Sequence, residues 1–350
     1  MKRTKAAVVT AALLAGAATI AAATSASADF TPQTRDIVGV GSDTIQIAMN
    51  NAADGFRAGS VVNAGYNGLA GARLVSFNAT NPSVPVGTEF AHDTITLKVG
   101  TTPITRPDGS GAGKGLLYGA NNNTAVDFAR ASSALNATEA SNGLVAYPFA
   151  MDELAVAVSA QGTNAPAAIS VDQLVDIYSG AITNWNQIGG QNGAIVPMIP
   201  QAGSGTRSFF EGQLTAANGG TPVTYGSNVV TVQEHDPNAL AGQPNAVAPF
   251  SIGRAGLANA QGIVHIETGT ATDGNQSFYA RRGVYNVVRT SDLSKAYVGS
   301  IFASDGFLCS STATAAIQAG GLKQLAHPLD GGVCGVPQTA AGDITNFLTN

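Results

Sequence analysis

Short apolar runs of strand character alternate with segments of helical period along this chain, and that alternation is the pattern of an α/β protein. Asp36–Val40 reads as a strand, and a helix runs from Ile45 through Phe56 after the loop Gly41-Ser42-Asp43-Thr44. Further strands are expected at Arg73–Phe77, Ala125–Ala129, Leu154–Ser159 (continuing from Tyr147-Pro148-Phe149), Ile195–Ile199 and Tyr285–Arg289. Ser170 is placed to cap a short amphipathic helix ending at Tyr178, with Leu174, Val175 and Tyr178 on one face. Gly203-Ser204-Gly205-Thr206 leads into a helix over Arg207–Leu214, and two tail helices are expected near Thr314–Leu325 and Ala340–Leu348. Between Asn78 and Gly119 the chain is rich in Pro, Gly and Thr and reads as loops, with one alternating run at Thr94–Val99. No internal repeat or heptad pattern interrupts this order.

The N-terminus predicts export. Lys2, Arg3 and Lys5 form a positive segment, Ala6–Ala23 is apolar, and Ala26-Ser27-Ala28 supplies a small-residue cleavage motif, placing the cut before Asp29. Removing 28 of the 350 residues leaves 322, and losing those three basic residues takes the net charge from −5 to −8. A chain of that size exceeds one ordinary core and predicts two lobes. Its acidic balance and its charged content of 11% argue against a nucleic-acid partner, which calls for a basic stripe. No later stretch is apolar enough for stable membrane insertion, so the mature chain is expected to be secreted or surface-associated. Its two cysteines, Cys309 and Cys334, are expected to form a disulfide after export, worth roughly 3 kcal/mol. A catalytic thiol is the alternative, but Cys309 has no adjacent His or basic residue to activate it.

Three small-residue loops carry the chemistry: Gly41-Ser42-Asp43-Thr44, Gly109-Ser110-Gly111-Ala112-Gly113 and Gly203-Ser204-Gly205-Thr206. A helix start leaves backbone N–H groups without partners and carries partial positive charge. Glycine lets backbone approach a ligand, and hydroxyls add donors, so such a start binds an anion without lysine. Three converging on one cleft would satisfy most oxygens of a tetrahedral oxyanion. The run from Gly109 to Gly115 is not a nucleotide P-loop, because Asp108 and Gly115 stand where that motif needs Gly and Ser or Thr. Ala202 likewise breaks the spacing of a nucleophile elbow. His92, His235, His265 and His327 are scattered without metal-ligand spacing, and the carboxylates form no catalytic set. A binding protein without metal or cofactor is therefore expected rather than an enzyme; a secreted phosphoester hydrolase would need a nucleophile with a base or two metals.

Several of these segments occur in an order that resembles a known family. Gly41-Ser42-Asp43-Thr44, then Val126-Asp127-Phe128 with Ala131-Ser132-Ser133, then Ile177-Tyr178-Ser179-Gly180-Ala181-Ile182-Thr183-Asn184-Trp185-Asn186, then Gly203-Ser204-Gly205-Thr206 are similar to the phosphate-binding receptor of the bacterial phosphate ABC importer, in the type II periplasmic-binding-protein superfamily. The resemblance implies two α/β lobes joined by crossover strands, residues 29–148 plus 277–350 forming one and 149–276 the other. It implies inorganic phosphate as ligand, an ABC permease as partner, and phosphate contacts from Ser42, Asp43, Thr44, Ser110, Ser133, Ser204, Gly205 and Thr206.

Three departures accompany it. Ser133 stands where the family has an Asp that accepts the ligand's proton, Pro200 stands where it has an Arg, and Asp29 stands where Gram-positive receptors carry a lipidated Cys. Asp43 is the expected substitute proton acceptor, and Arg207 or Arg130 the expected guanidinium. The alternatives are another oxyanion or small solute, or an interaction or adhesion protein that kept the fold without the ligand.

Overall fold

The computed structural model describes residues 31–69, 71–81 and 93–350. The expected leader at residues 1–28, its cleavage before Asp29, and His92 lie outside the described residues. Strand β1 (Ile37–Gly41) is buried throughout and turns into α1 (Asp43–Asp54). Gly41 makes that turn at φ 116°, and a Cβ there would stand 2.6 Å from the Arg130 carbonyl oxygen. The helix thus starts two residues earlier than the apolar spacing predicts, because Asp43 and Thr44 form its first turn. A hairpin of β2 (Phe56–Ala58) and β3 (Val61–Asn63) follows, then β4 (Leu74–Ser76), and the pair β5 (Thr94–Ile95) and β6 (Ile104–Thr105). After α2 (Ser110–Gly115) comes β7 (Phe128–Ala131), three residues later than expected. Next are α3 (Ala137–Ser141) and the sixteen-residue β8 (Leu144–Ser159).

The middle of the chain forms α4 (Val171–Ser179), β9 (Val196–Pro200), α5 (Gly205–Ala217), β10 (Val230–Val232), β11 (Ala246–Ser251), α6 (Ile252–Ala255) and β12 (Val264–Ile266). As its sequence predicts, α4 is capped by Ser170, with Gln173 closing a reciprocal capping box. The chain returns through β13 (Tyr279–Arg289), α7 (Ser311–Ala319) and β14 (Lys323–Gln324). Helix α7 ends before Gly320, where a Cβ would meet the Ala48 backbone of α1 at 2.4 Å, so close helix packing requires glycine. The second expected tail helix is absent: residues 340–348 form bends, with Asp343 accepting from Gly283 N and Ile344 N donating to Tyr285 Oη. That segment's polar groups are tied sideways to β13 rather than along a helix axis.

The main sheet runs β10-β9-β11-β8-β13-β7-β1-β4, with β12 and β14 also paired to β8. Around β1 the neighbours β4 and β7 are parallel, and around β9 the neighbours β10 and β11 are parallel. Between these parallel ends, β8 and β13 pair antiparallel along their whole common length. One large core draws on side chains between Ile37 and Met151 and between Val284 and Ile344, and it holds the Cys309–Cys334 disulfide. Another is built between Leu154 and Phe278, with Leu174, Ile177, Tyr178, Trp185 and Phe210 at its centre. The two long strands pass from one core to the other where Asp152 faces Arg282.

Candidate binding cleft

Hydroxyls from four separate segments meet beside that crossover. Ser42, Thr44, Ser110, Ser132 and Thr206 are all buried. Ser132 Oγ lies 3.0 Å from Ser42, 3.3 Å from Thr44 and 3.3 Å from Ser110, and Thr44 Oγ1 lies 3.4 Å from Thr206 Oγ1. Ser42 precedes α1 and Thr44 sits in its first turn; Ser110 begins α2; Thr206 sits in the first turn of α5, on the other core. Gly205 permits the contact, since a Cβ on it would stand 2.3 Å from Ser110 Oγ and 2.5 Å from Ser132 Oγ. The loops also touch through backbone, Gly111 N donating to Gly203 O at 2.9 Å.

Charged groups complete the cluster. Arg282 Nη2 donates to Asp152 Oδ2 at 2.7 Å and to Thr206 Oγ1 at 2.8 Å, and reaches Thr44 Oγ1 at 3.4 Å, so one guanidinium bonds both sides of the cleft. Ser251 Oγ holds the other Asp152 oxygen at 2.5 Å. Glu234 Oε1 accepts from Thr206 N at 3.1 Å and from Thr44 Oγ1 at 3.2 Å. His235 Nδ1 accepts from Ser251 N, which puts its ring hydrogen on Nε2, 3.0 Å from Thr44 Oγ1 and 3.2 Å from Thr206 Oγ1. His235 is also the one described residue other than glycine with positive φ, at 52°. A hydroxyl donates once and accepts at most twice, so Thr44, within 3.4 Å of five polar groups, cannot satisfy them all. The cluster is rich in donors: five hydroxyls, an imidazole N–H, a guanidinium and a helix-start N–H share two carboxylates, Glu234 and Asp152, of which Asp152 is taken up by Arg282 and Ser251.

The sequence-predicted residues divide accordingly. Ser42, Thr44, Ser110, Gly205 and Thr206 come together. Ser204 is buried beside them, but its Oγ accepts from Arg207 N and caps α5. Ser133 faces away and meets Lys114 Nζ at 3.3 Å; its neighbour Ser132 is the residue in the cluster, because a step of one residue turns a side chain to the opposite side of an extended chain. Asp43 pairs with Arg254 across the cleft at 3.1 Å. Arg130 is used internally, donating to the Gly41 and Ser42 carbonyls and to Ser76. Arg207 points outward to Glu211 and the Tyr225 ring, and the guanidinium found within the cluster is that of Arg282. Glu234, His235, Asp152, Arg254 and Arg282 were not singled out from sequence. Among the described residues no three His, Cys, Asp or Glu side chains are grouped to hold a metal ion, and no helix is long and apolar enough to cross a membrane.

Burial pushes Asp43 up to about 6 against the pull of Arg254, and pushes Asp108 up to about 8 with help from Glu234 and Asp43. Burial alone pushes Glu267 up to about 7. His235 is held well below the usual imidazole range by burial, Arg254 and Arg282. Unfolded carboxyls ionise near ~4, so the stability these three contribute is complete below that pH and is lost as pH rises through about 6, 7 and 8. His235 acts oppositely, its contribution being lost as pH falls below ~6.5. Above ~6.5 the carboxyls are left to dominate, so the melting temperature is expected to fall between about pH 6.5 and 8.5, and Asp108→Asn to flatten the fall. A wild-type profile rising across that interval would contradict this charge arrangement.

Two cores joined by two long crossover strands, with a cleft between them, define a two-lobed α/β fold of the periplasmic-binding type. The family model described as a PBP superfamily domain matches residues 84–326, and the chain belongs to that family. Among solved structures, an ABC-type phosphate transport receptor from Vibrio cholerae is 22% identical, with TM-score 0.52, over 82% of this chain and 99% of that one. A phosphate ABC transporter substrate-binding protein from Clostridium perfringens, with bound phosphate, is 17% identical, with TM-score 0.53, over 82% of this chain and 98% of that one. At these identities the likeness carries the fold. A search of curated proteins found no match.

Proposed function

We propose that the chain is an exported solute-binding protein that captures inorganic phosphate between its lobes and presents it to an ABC permease. Residues 29–148 plus 277–350 form one lobe and 149–276 the other, after cleavage before Asp29. The observation that carries this reading is the donor-rich cluster formed by Ser42, Thr44, Ser110, Ser132, Thr206, His235 and Arg282. Such a group is costly to bury facing itself and is well matched to a ligand made of acceptors. The first turns of α1 and α5 add partial positive charge, and Arg282 adds a full one in a site closed to water. The phosphate receptors among the solved structures support the ligand class.

Glu234 is the acceptor in this scheme, taking over the role expected of Asp43, which is engaged with Arg254. Its Oε2 is buried and unpartnered. Monohydrogen phosphate brings a hydrogen for that oxygen; sulfate brings none and leaves two acceptors opposed, at a cost of ~1–3 kcal/mol or more. Calorimetry on protein unfolded and refolded to strip carried-over ligand tests both claims. Phosphate should give a saturable heat and sulfate none, and Glu234→Gln should narrow the phosphate preference at least tenfold. Silence from both anions rejects the phosphate reading; an unchanged ratio in the variant rejects the role of Glu234.

A further inference from the structure

Charge in the cleft is paired unevenly. Asp152 has Arg282 and Asp43 has Arg254, while Arg130 is taken up by backbone carbonyls. Asp108 and Glu234 remain, without a lysine or arginine partner among the described residues. Both are at least nine-tenths buried, and each leaves one carboxylate oxygen, Asp108 Oδ2 and Glu234 Oε2, with no hydrogen bond at all. They come from opposite lobes and stand together: Gln233 Nε2 donates to Asp108 Oδ1 at 3.3 Å, Gln201 Oε1 accepts from Glu234 N at 2.8 Å, and Glu234 is the strongest charged influence on Asp108. Beside Asp108 a cavity of about 610 Å³ opens between the lobes, lined also by Arg106, Pro107, Ala112, Leu116, Gln201 and Ala202. A bare phosphate dianion entering here brings one hydrogen at most for these two unpartnered oxygens and adds negative charge beside Glu234, while the Asp108 carboxyl, pushed up to about 8 by burial, keeps its own proton.

We propose that the cleft selects a phosphomonoester carrying an ammonium group close to the phosphate, the ammonium lying between Asp108 Oδ2 and Glu234 Oε2 and the organic arm directed to the cavity. This rests on reading the hydroxyl cluster as a phosphate site. The ammonium supplies Glu234 with the hydrogen that inorganic phosphate supplies through its P–OH, and it offers a second hydrogen to Asp108 Oδ2, whose carboxyl can ionise beside a cation. An ester with an uncharged arm does neither, because with a second pKa near ~6 its phosphate is a dianion without P–OH above neutral pH.

The test is calorimetry at pH 7.5 on the refolded protein with three probes: inorganic phosphate, ethyl phosphate and 2-aminoethyl phosphate. The amino ester is expected to bind at least tenfold more tightly than inorganic phosphate, and ethyl phosphate more weakly than both. Asp108→Asn should abolish the advantage of the amino ester while inorganic phosphate binds as before, and Ala112→Phe, which narrows the cavity, should lower the affinity of the amino ester selectively. Both variants are to be checked for an intact melting transition. If inorganic phosphate binds and the amino ester binds no better, the inference fails and the phosphate reading stands. If none of the three binds, the phosphate reading fails and the inference with it.

Discussion

Replacing Arg282 by methionine is expected to abolish anion binding and to lower the stability of the ligand-free protein by about 3–5 kcal/mol. Both effects follow from its place on β13 opposite Asp152. Its Nε and Nη2 hold Asp152 Oδ2 at 2.9 and 2.7 Å, in a pair wholly shielded from water. Removing the guanidinium strands a buried carboxylate whose other oxygen has only Ser251. The same Nη2 spans the cleft to Thr206 and Thr44, so the cluster also loses its one full positive charge. The double variant Arg282→Met with Asp152→Leu separates the roles. It should regain most of the stability, since a buried pair replaced by apolar groups is often neutral, but none of the binding. Urea unfolding and phosphate calorimetry read the two quantities; retained phosphate affinity in either variant would remove Arg282 from the site.

A bulky residue at position 205 should affect closure rather than folding. Valine there would drive its Cβ against Ser110 Oγ and Ser132 Oγ, and against the Ser132 carbonyl carbon at 3.0 Å. These atoms belong to the opposite lobe, so the clash exists only when the lobes meet. Overpacking of this kind costs about 1–3 kcal/mol, which translates into a 5- to 150-fold loss of phosphate affinity. Urea unfolding should change much less than binding does. Equal losses in both measurements would mean that the glycine serves the fold instead.

Much of this was legible in the chain because it is local. A strand followed by Gly-Ser-Asp-Thr or Gly-Ser-Gly-Thr specifies a helix start with hydroxyls in its first turn, and Ser42, Thr44 and Thr206 are found in that setting. Ser170 as the cap of α4 was readable for the same reason. The errors came where a decision depends on pairing across the sheet. Ser132 rather than Ser133 enters the cluster because of where β7 ends against β1 and β13, which spacing along the chain does not reveal. Arg207 sits next to the Gly203-Ser204-Gly205-Thr206 turn in sequence, yet as the third residue of α5 it faces outward to Glu211. Asp152 and Arg282 are 130 residues apart and become a pair only through antiparallel register. Glu234 and His235 lie in a loop after β10 with no motif of their own; His235 at φ 52° is a strained position that sequence gives no reason to expect.

The division of the cores also fixes an order of assembly. The one centred on Trp185 is built from a continuous stretch between Leu154 and Phe278, whereas the one holding the disulfide needs pieces from both ends of the chain. A chain emerging N-terminus first therefore presents α1 and β1 long before the segments that cover them arrive. The inserted lobe can close on local contacts, while its host waits on pairings separated by more than a hundred residues, which are slow to form. Strand β13 arrives late and belongs to both. It brings Arg282 with it, so the hydroxyl cluster gains its guanidinium only with the strand that joins the two halves.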